Sequence, residues 1–426
     1  MRSFFTLAHR YLGLGIALFL IVTGLTGAII SWDHELDEWL NGHLLDAATP
    51  GTPQSATALA HQVETQFPQV QVTYYETATE PGHSYYYWVE PRVNPDTGEL
   101  YKPGFNQIYV DPVSGEILGM REWGAVWPVS RENFVSFLYM LHFSLHIPEF
   151  NDIHWGVLLL GVVALIWTID CFIGFYLTLP NRRKQRSESD TAGKGKSWWQ
   201  RWAPAWKIRR NAGSYKLNFD LHRAFGLWTW VLLFTIAFTG FSLNLYREVF
   251  FPVMSLVSDV TPTPIDSRTP SGHHNPIQAN FGFERAIELG EQEAAQKGWT
   301  EPVGSLWHAI EFGIYRLEFF TPEEGHGAGG VGHKAIYIDS KTGENLGDWR
   351  PWEGTAADLF VQAQFPLHSG RILGLPGRIL ISVMGVVVAM LSITGIIIWV
   401  RKRRARILRA ERARQEEAGM EYSASQ

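Results

Sequence analysis

The chain has 426 residues, is 46% hydrophobic and 14% aromatic, and carries a net charge of -6. A single cysteine excludes a disulfide framework and cysteine-built metal sites, and the lack of Cys-x-x-Cys-His excludes covalently attached haem. The charge gives no basis for nucleic-acid binding, and a mean hydropathy of -0.07 conceals four apolar runs that together fill only a minor part of the chain.

The first run, Tyr11 to Trp32, follows His9-Arg10 and lacks a clear signal-peptidase site, so it reads as an uncleaved anchor. The others span Trp155 to Leu179, Ala224 to Leu245 and Ile379 to Val400. Each is long enough to cross a hydrocarbon core of about 30 Å at ~1.5 Å per residue. The expected order is therefore membrane helix 1–32, soluble domain 33–154, membrane helix 155–179, basic loop 180–221, membrane helix 222–246, soluble domain 247–376, membrane helix 377–400 and basic tail 401–426. Between Asn181 and Arg223 there are 12 Lys/Arg against three acids, whereas Asp33 to His154 holds four against 17. Positive residues stay inside, so both termini and the central loop are expected in the cytoplasm. Arg182–Lys196 reads as a charged linker. Trp198, Trp199, Trp202 and Trp206, with basic residues between them, read as a helix resting on membrane lipid.

In the first soluble segment, Ala56–Phe67 has helical periodicity and Tyr85–Val89 suits a strand. Gln107–Val110 and Glu116–Met120 flank a Pro- and Gly-bearing turn and form a hairpin. The second segment repeats this order: helix Phe283–Lys297, strand Tyr315–Phe320, and a hairpin of Ala335–Ile338 with Glu344–Leu346.

The recurrence is general. Thr26-Gly27 falls on Thr239-Gly240, and Phe143-Ser144-Leu145-His146 on Phe365-Pro366-Leu367-His368. The fold class is thus membrane α+β: four transmembrane helices in two tandem repeats, each with an α+β domain. Where the copies agree they place histidines beside membrane helices. His9 and His222 are equivalent, and a pseudo-symmetric pair of neutral imidazoles is a bis-histidine haem site, with Arg10 and Arg223 placed to neutralise propionates. The plain alternative is two interfacial histidines reaching for headgroups. A second pair would join His368 to His142 or His146, which lie four apart on one helix face. All five histidines are therefore candidate axial ligands of haem iron, two haems are expected, and by elimination they are b-type. An exposed zinc ion is the rival, with His154 as a third ligand. Asp170 is the acid inside an apolar run; alignment of Gly174 with Gly395 puts Leu391 in its place, which leaves it outside the shared haem arrangement. Its ordinary role is a hydrogen bond to a neighbouring helix, and its functional one proton movement. Gly13, Gly24, Gly27, Gly226, Gly240, Gly385 and Gly395 permit close helix contact or leave room for a flat macrocycle. His273-His274 and His326/His333 with Glu323-Glu324 are loop groups that could touch metal.

His9-Arg10…Gly13, Leu141-His142-x-x-Leu145, Leu221-His222-Arg223…Gly226, Pro366-Leu367-His368-Ser369-Gly370 and Leu375-Pro376-Gly377-Arg378 resemble the PepSY-associated transmembrane family over residues 1 to about 405. The two Asp…Gly-Glu hairpins are similar to PepSY domains, and the family's Leu-His-x-x-Leu favours His142 where internal alignment favours His146. The resemblance implies a bacterial inner-membrane di-haem protein with periplasmic PepSY-like domains, passing electrons to a periplasmic acceptor such as a ferric siderophore or other iron complex. Electrons would come from a separate cytoplasmic reductase or from quinol, since no nucleotide-binding glycine motif is present. A non-redox PepSY protein that binds peptides or restrains a protease is the main rival, and a transporter built on Asp170 a third reading.

Overall fold

The computed structural model describes residues 1–151, 153–181 and 196–424; except for Lys196, the expected charged linker lies outside them. The helices are α1 (Arg2–Ile30), α2 (Asp33–Leu45), α3 (Ala56–Gln66), α4 (Phe134–Ser144), α5 (Trp155–Thr178), α6 (Trp198–Trp202) and α7 (Ser214–Trp228). They continue with α8 (Trp230–Asn244), α9 (Phe251–Val257), α10 (Phe283–Gln296), α11 (Ala356–Gln362), α12 (Gln364–Ser369) and α13 (Leu375–Ala424). The strands are β1 (Val70–Glu76), β2 (Tyr85–Pro91), β3 (Gln107–Val110), β4 (Ile117–Arg121), β5 (Val303–Ala309), β6 (Ile314–Phe319), β7 (Lys334–Asp339) and β8 (Asn345–Trp349). Two compact units result: Met1–Ala28 with Val157–Leu245 and Leu380–Gln426, and Ile29–Gly156 with Tyr246–Ile379.

The first unit is helical. Among the described residues three helices are long and apolar enough to cross a membrane: α1, α5 and α13. The expected third span is not a straight helix; α7 and α8 meet at 72°. The break sits at Thr229, whose dihedrals (φ -103°, ψ 12°) leave the helical well. Its hydroxyl and its own N–H both donate to the Phe225 carbonyl. The Trp230 indole N–H then donates to the Cys171 carbonyl at 2.8 Å, fixing α8 to α5. Ile16, Leu20, Val163, Leu233, Ala237, Met384 and Val387 form the shared core. Glycine brings α1 and α13 into contact: a Cβ on Gly24 would stand 2.7 Å from the Gly385 carbonyl oxygen.

The second unit is built on one antiparallel sheet of eight strands in the order β4-β3-β2-β1-β5-β6-β7-β8. The two soluble segments are not separate domains, as the sequence suggested. Each supplies a helix and a four-stranded meander, and the meanders join where β1 pairs with β5, Tyr74 facing Trp307 and Tyr75 facing Leu306. α3 and α10 cover one face over a common core of Leu59, Val63, Tyr75, Tyr87, Ile108, Phe283, Leu306, Tyr315, Leu317 and Ile336. The buried tyrosines keep their hydroxyls bonded: Tyr75 to Thr57, Tyr87 to the Ala56 carbonyl and Tyr315 to the Phe281 carbonyl, each at 2.8 Å. The two hairpin turns are alike in detail. Asp111 accepts from the amides of Val113 and Ser114, and Asp339 from those of Lys341 and Thr342. Gly115 and Gly343 close them at φ 73° and 75°, a conformation that suits glycine.

Candidate functional site: two facing histidine pairs

α1 begins at Arg2, so His9 lies inside a helix rather than ahead of it, and α7 likewise contains His222. Both rings are steered by a neighbouring helix. The Nδ1–H of His9 donates to Asp170 on α5, 2.9 Å from each carboxylate oxygen. The Nδ1–H of His222 donates to the Leu391 carbonyl of α13 at 3.0 Å, with the Thr394 hydroxyl oxygen 3.1 Å away. With Nδ1 protonated, the lone pair resides on Nε2, the form in which imidazole binds a metal.

The two ring centroids are 6.2 Å apart. Two iron–nitrogen bonds of about 2 Å, plus about 1 Å from each nitrogen to its ring centre, give a span of roughly 6 Å across a bis-histidine haem. The residues around the rings fit such a group. They border a cavity of about 430 Å³, within the range of cofactor sites of roughly 300–1,000 Å³. Gly13 and Gly226, each four residues beyond its histidine, border this cavity, and a Cβ there would meet nothing closer than 3.9 Å. Gly174 and Gly395 instead lie against the rings; a Cβ would stand 3.5 Å from His9 Cε1 and 3.3 Å from His222 Cε1. Arg2, Arg10, Arg223 and Lys402 also line the cavity. Among the described residues Arg10 makes no hydrogen bond or ion pair. Arg223 is partly engaged, donating to the Pro204 carbonyl and to Asp220, while its Nε is buried without a partner.

The second pair lies in the other unit. His142 on α4 and His368 on α12 have ring centroids 6.1 Å apart. Both helices end just past the histidine in a left-handed residue, Leu145 at φ 55° and Gly370 at φ 77°. His146, the equivalent of His368 by internal alignment, is not brought to it. It also has positive φ, stacks on Phe137 at 4.5 Å and donates from Nε2 to the Phe137 carbonyl at 2.8 Å. Of the two, it is His142, the histidine of the Leu-His-x-x-Leu pattern, whose ring lies beside that of His368.

The loop histidines have other neighbours. His273 lies 3.5 Å from Glu311, His274 lies 3.8 Å from Glu99, His326 packs on His34 and His333 stacks on Phe320. His154 lies 3.2 Å from Glu149. Among the described residues no three His, Cys, Asp or Glu side chains converge as a metal site. Sequence reasoning left Asp170 unconnected to the histidines and missed Thr394; Asp170 is four residues ahead of Gly174 and Thr394 directly precedes Gly395, the one available signal.

A family model for the PepSY-associated TM region matches residues 6–402. The chain belongs to that family. No curated protein matches it. As a PepSY-associated protein it is of membrane type, joining several apolar helices to an antiparallel sheet.

Proposed function

We propose that this protein is a di-haem b-type oxidoreductase of the bacterial inner membrane, moving electrons to a periplasmic ferric siderophore or other ferric complex for iron uptake. The observation that carries this reading is the repeated spacing of two histidine pairs, 6.2 and 6.1 Å. In the proposed topology α7 and α8 together make one bent crossing, giving four spans in two tandem repeats with both termini cytoplasmic and the sheet periplasmic. His9 with His222, and His142 with His368, would each hold one haem. Bound there, haem b supplies reversible one-electron chemistry at its iron.

The chain's own residues do the rest. Asp170 and the Leu391 carbonyl hold their imidazoles with Nε2 free for iron. Gly13 and Gly226 keep side chains out of the gap, and the apolar lining lowers the local dielectric, which strengthens every charge interaction within it. Arg10 has its guanidinium available for a propionate. Electrons would enter on the His9–His222 side from a separate reductase or quinol, and leave on the His142–His368 side. Purified protein reduced with dithionite should show b-type absorption bands and two haems per chain. A folded, colourless preparation would overturn the proposal and favour the peptide-binding or protease-restraining alternative.

A further inference from the structure

The two rings of the helical site are held by chemically different partners, although they occupy matching places. Asp170 and Leu391 are four residues ahead of Gly174 and Gly395, and each of those glycines lies against its histidine. In one copy the acceptor is a carboxylate, 7% exposed, with both oxygens 2.9 Å from His9 Nδ1. In the other it is the main-chain carbonyl of Leu391, aided by Thr394, whose hydroxyl already donates to the Met390 carbonyl. A carboxylate draws the Nδ1 proton more strongly than an amide carbonyl does, so the opposite nitrogen becomes the better electron donor. Asp170 is held by no other hydrogen bond among the described residues, so its carboxylate is committed to this ring.

We infer that Asp170 is a positioning and tuning residue for His9, fixing its ring and making it the stronger of the two ligands, so that the oxidised state of the metal bound between His9 and His222 is favoured. This rests on the di-haem reading and deepens it. The asymmetry has a consequence that the sequence symmetry hides: the two ligands of one site are not interchangeable. A neutral residue at position 170 removes the stronger acceptor, whereas Thr394 can be replaced while the Leu391 carbonyl remains.

The test is a spectroscopic redox titration of the purified full chain, with haem counted by pyridine haemochrome. Asp170→Asn should move one of the two midpoint potentials upward and leave the other unchanged. Asp170→Leu, which installs the residue found at 391, should also weaken retention of that haem, by roughly 10- to 100-fold in affinity, and Asp170→Glu should restore it. Thr394→Val should shift the same potential less than Asp170→Asn does. If wild-type protein carries no haem, the di-haem reading itself fails. If it carries two and Asp170→Asn leaves both potentials and the haem count unaltered, the reading survives and the role of Asp170 is refuted. Loss of a haem in Asp170→Asn without rescue by Asp170→Glu would also refute it, because a general packing role predicts that pattern.

Discussion

The two histidine pairs share a spacing but not a means of support. His9 and His222 stand within long helices, and each ring is aimed by a bond to an adjacent helix. His142 and His368 stand in the last turns of helices of 11 and six residues, each closed by a left-handed residue. Ring centroids at 6.2 and 6.1 Å, with planes tilted by 53° and 56°, are reached from both designs. The first design depends on helix packing and the second on helix caps, so different substitutions should damage each.

On the di-haem proposal, the largest expected effect comes from removing the proposed ligands. His222→Ala and His368→Ala should each reduce haem from two to one per chain, and the double variant should bind none; haemochrome analysis reads this directly. His146→Ala should retain both haems, since its ring is committed to Phe137; loss of one would return His146 to the site. Next come substitutions that separate the supports. Gly370→Val puts a β-branched residue at φ 77°, costing about 1–2 kcal/mol, and should loosen the His142–His368 haem while sparing the other. Gly395→Leu should do the converse, because its Cβ would already press on His222 at 3.3 Å. Carbon monoxide binding to a newly five-coordinate iron distinguishes the two.

Acidification should act on the sheet unit. Burial holds His308 at about 4 instead of 6.5, and burial with the nearby Arg371 and His34 does the same for His326. The unfolded chain binds these protons first, so stability should decline as pH falls from about 6.5 to 4 and level off below. His308→Leu should flatten that decline in urea unfolding followed by near-ultraviolet circular dichroism. The smallest effect belongs to Glu35, which the Arg378 guanidinium holds at about 2, below its usual 4.5. Its side chain is 51% exposed, so solvent screening limits the pair to less than about 1 kcal/mol. That contribution is complete above pH 4.5 and disappears as pH falls towards 2; Glu35→Gln should therefore cost stability at neutral pH and nothing at pH 2.

Much of this was legible in the chain because the relevant signals are local. The hairpins at Asp111 and Asp339, the helices α3 and α10, and strands β2 and β6 fall within a few residues of their expected positions. β1 and β5 were not read. A bulge between Val72 and Tyr74, and another between Val303 and Ser305, disturb the alternation that identifies a strand. Those two form the seam, so missing them turned one sheet into two domains. The bend at Thr229 was also hidden, because apolar composition continues through it. His9, His222 and His368 were found from the repeat, whereas Asp170 was set aside because it breaks the repeat. A main-chain carbonyl fills its role in the second copy, and backbone partners leave no trace in residue identity.

The seam also bears on how the protein is made. β1 emerges during synthesis with its outer edge unpaired, and its partner β5 follows more than two hundred residues later. Until then an aromatic strand carrying Tyr74 and Tyr75 presents open amide and carbonyl groups, the condition under which strands recruit the wrong neighbours. Synthesis of the second segment is therefore a condition for completing the first, and a chain truncated before Val303 should be a substrate for chaperones and proteases rather than a half-sized working domain.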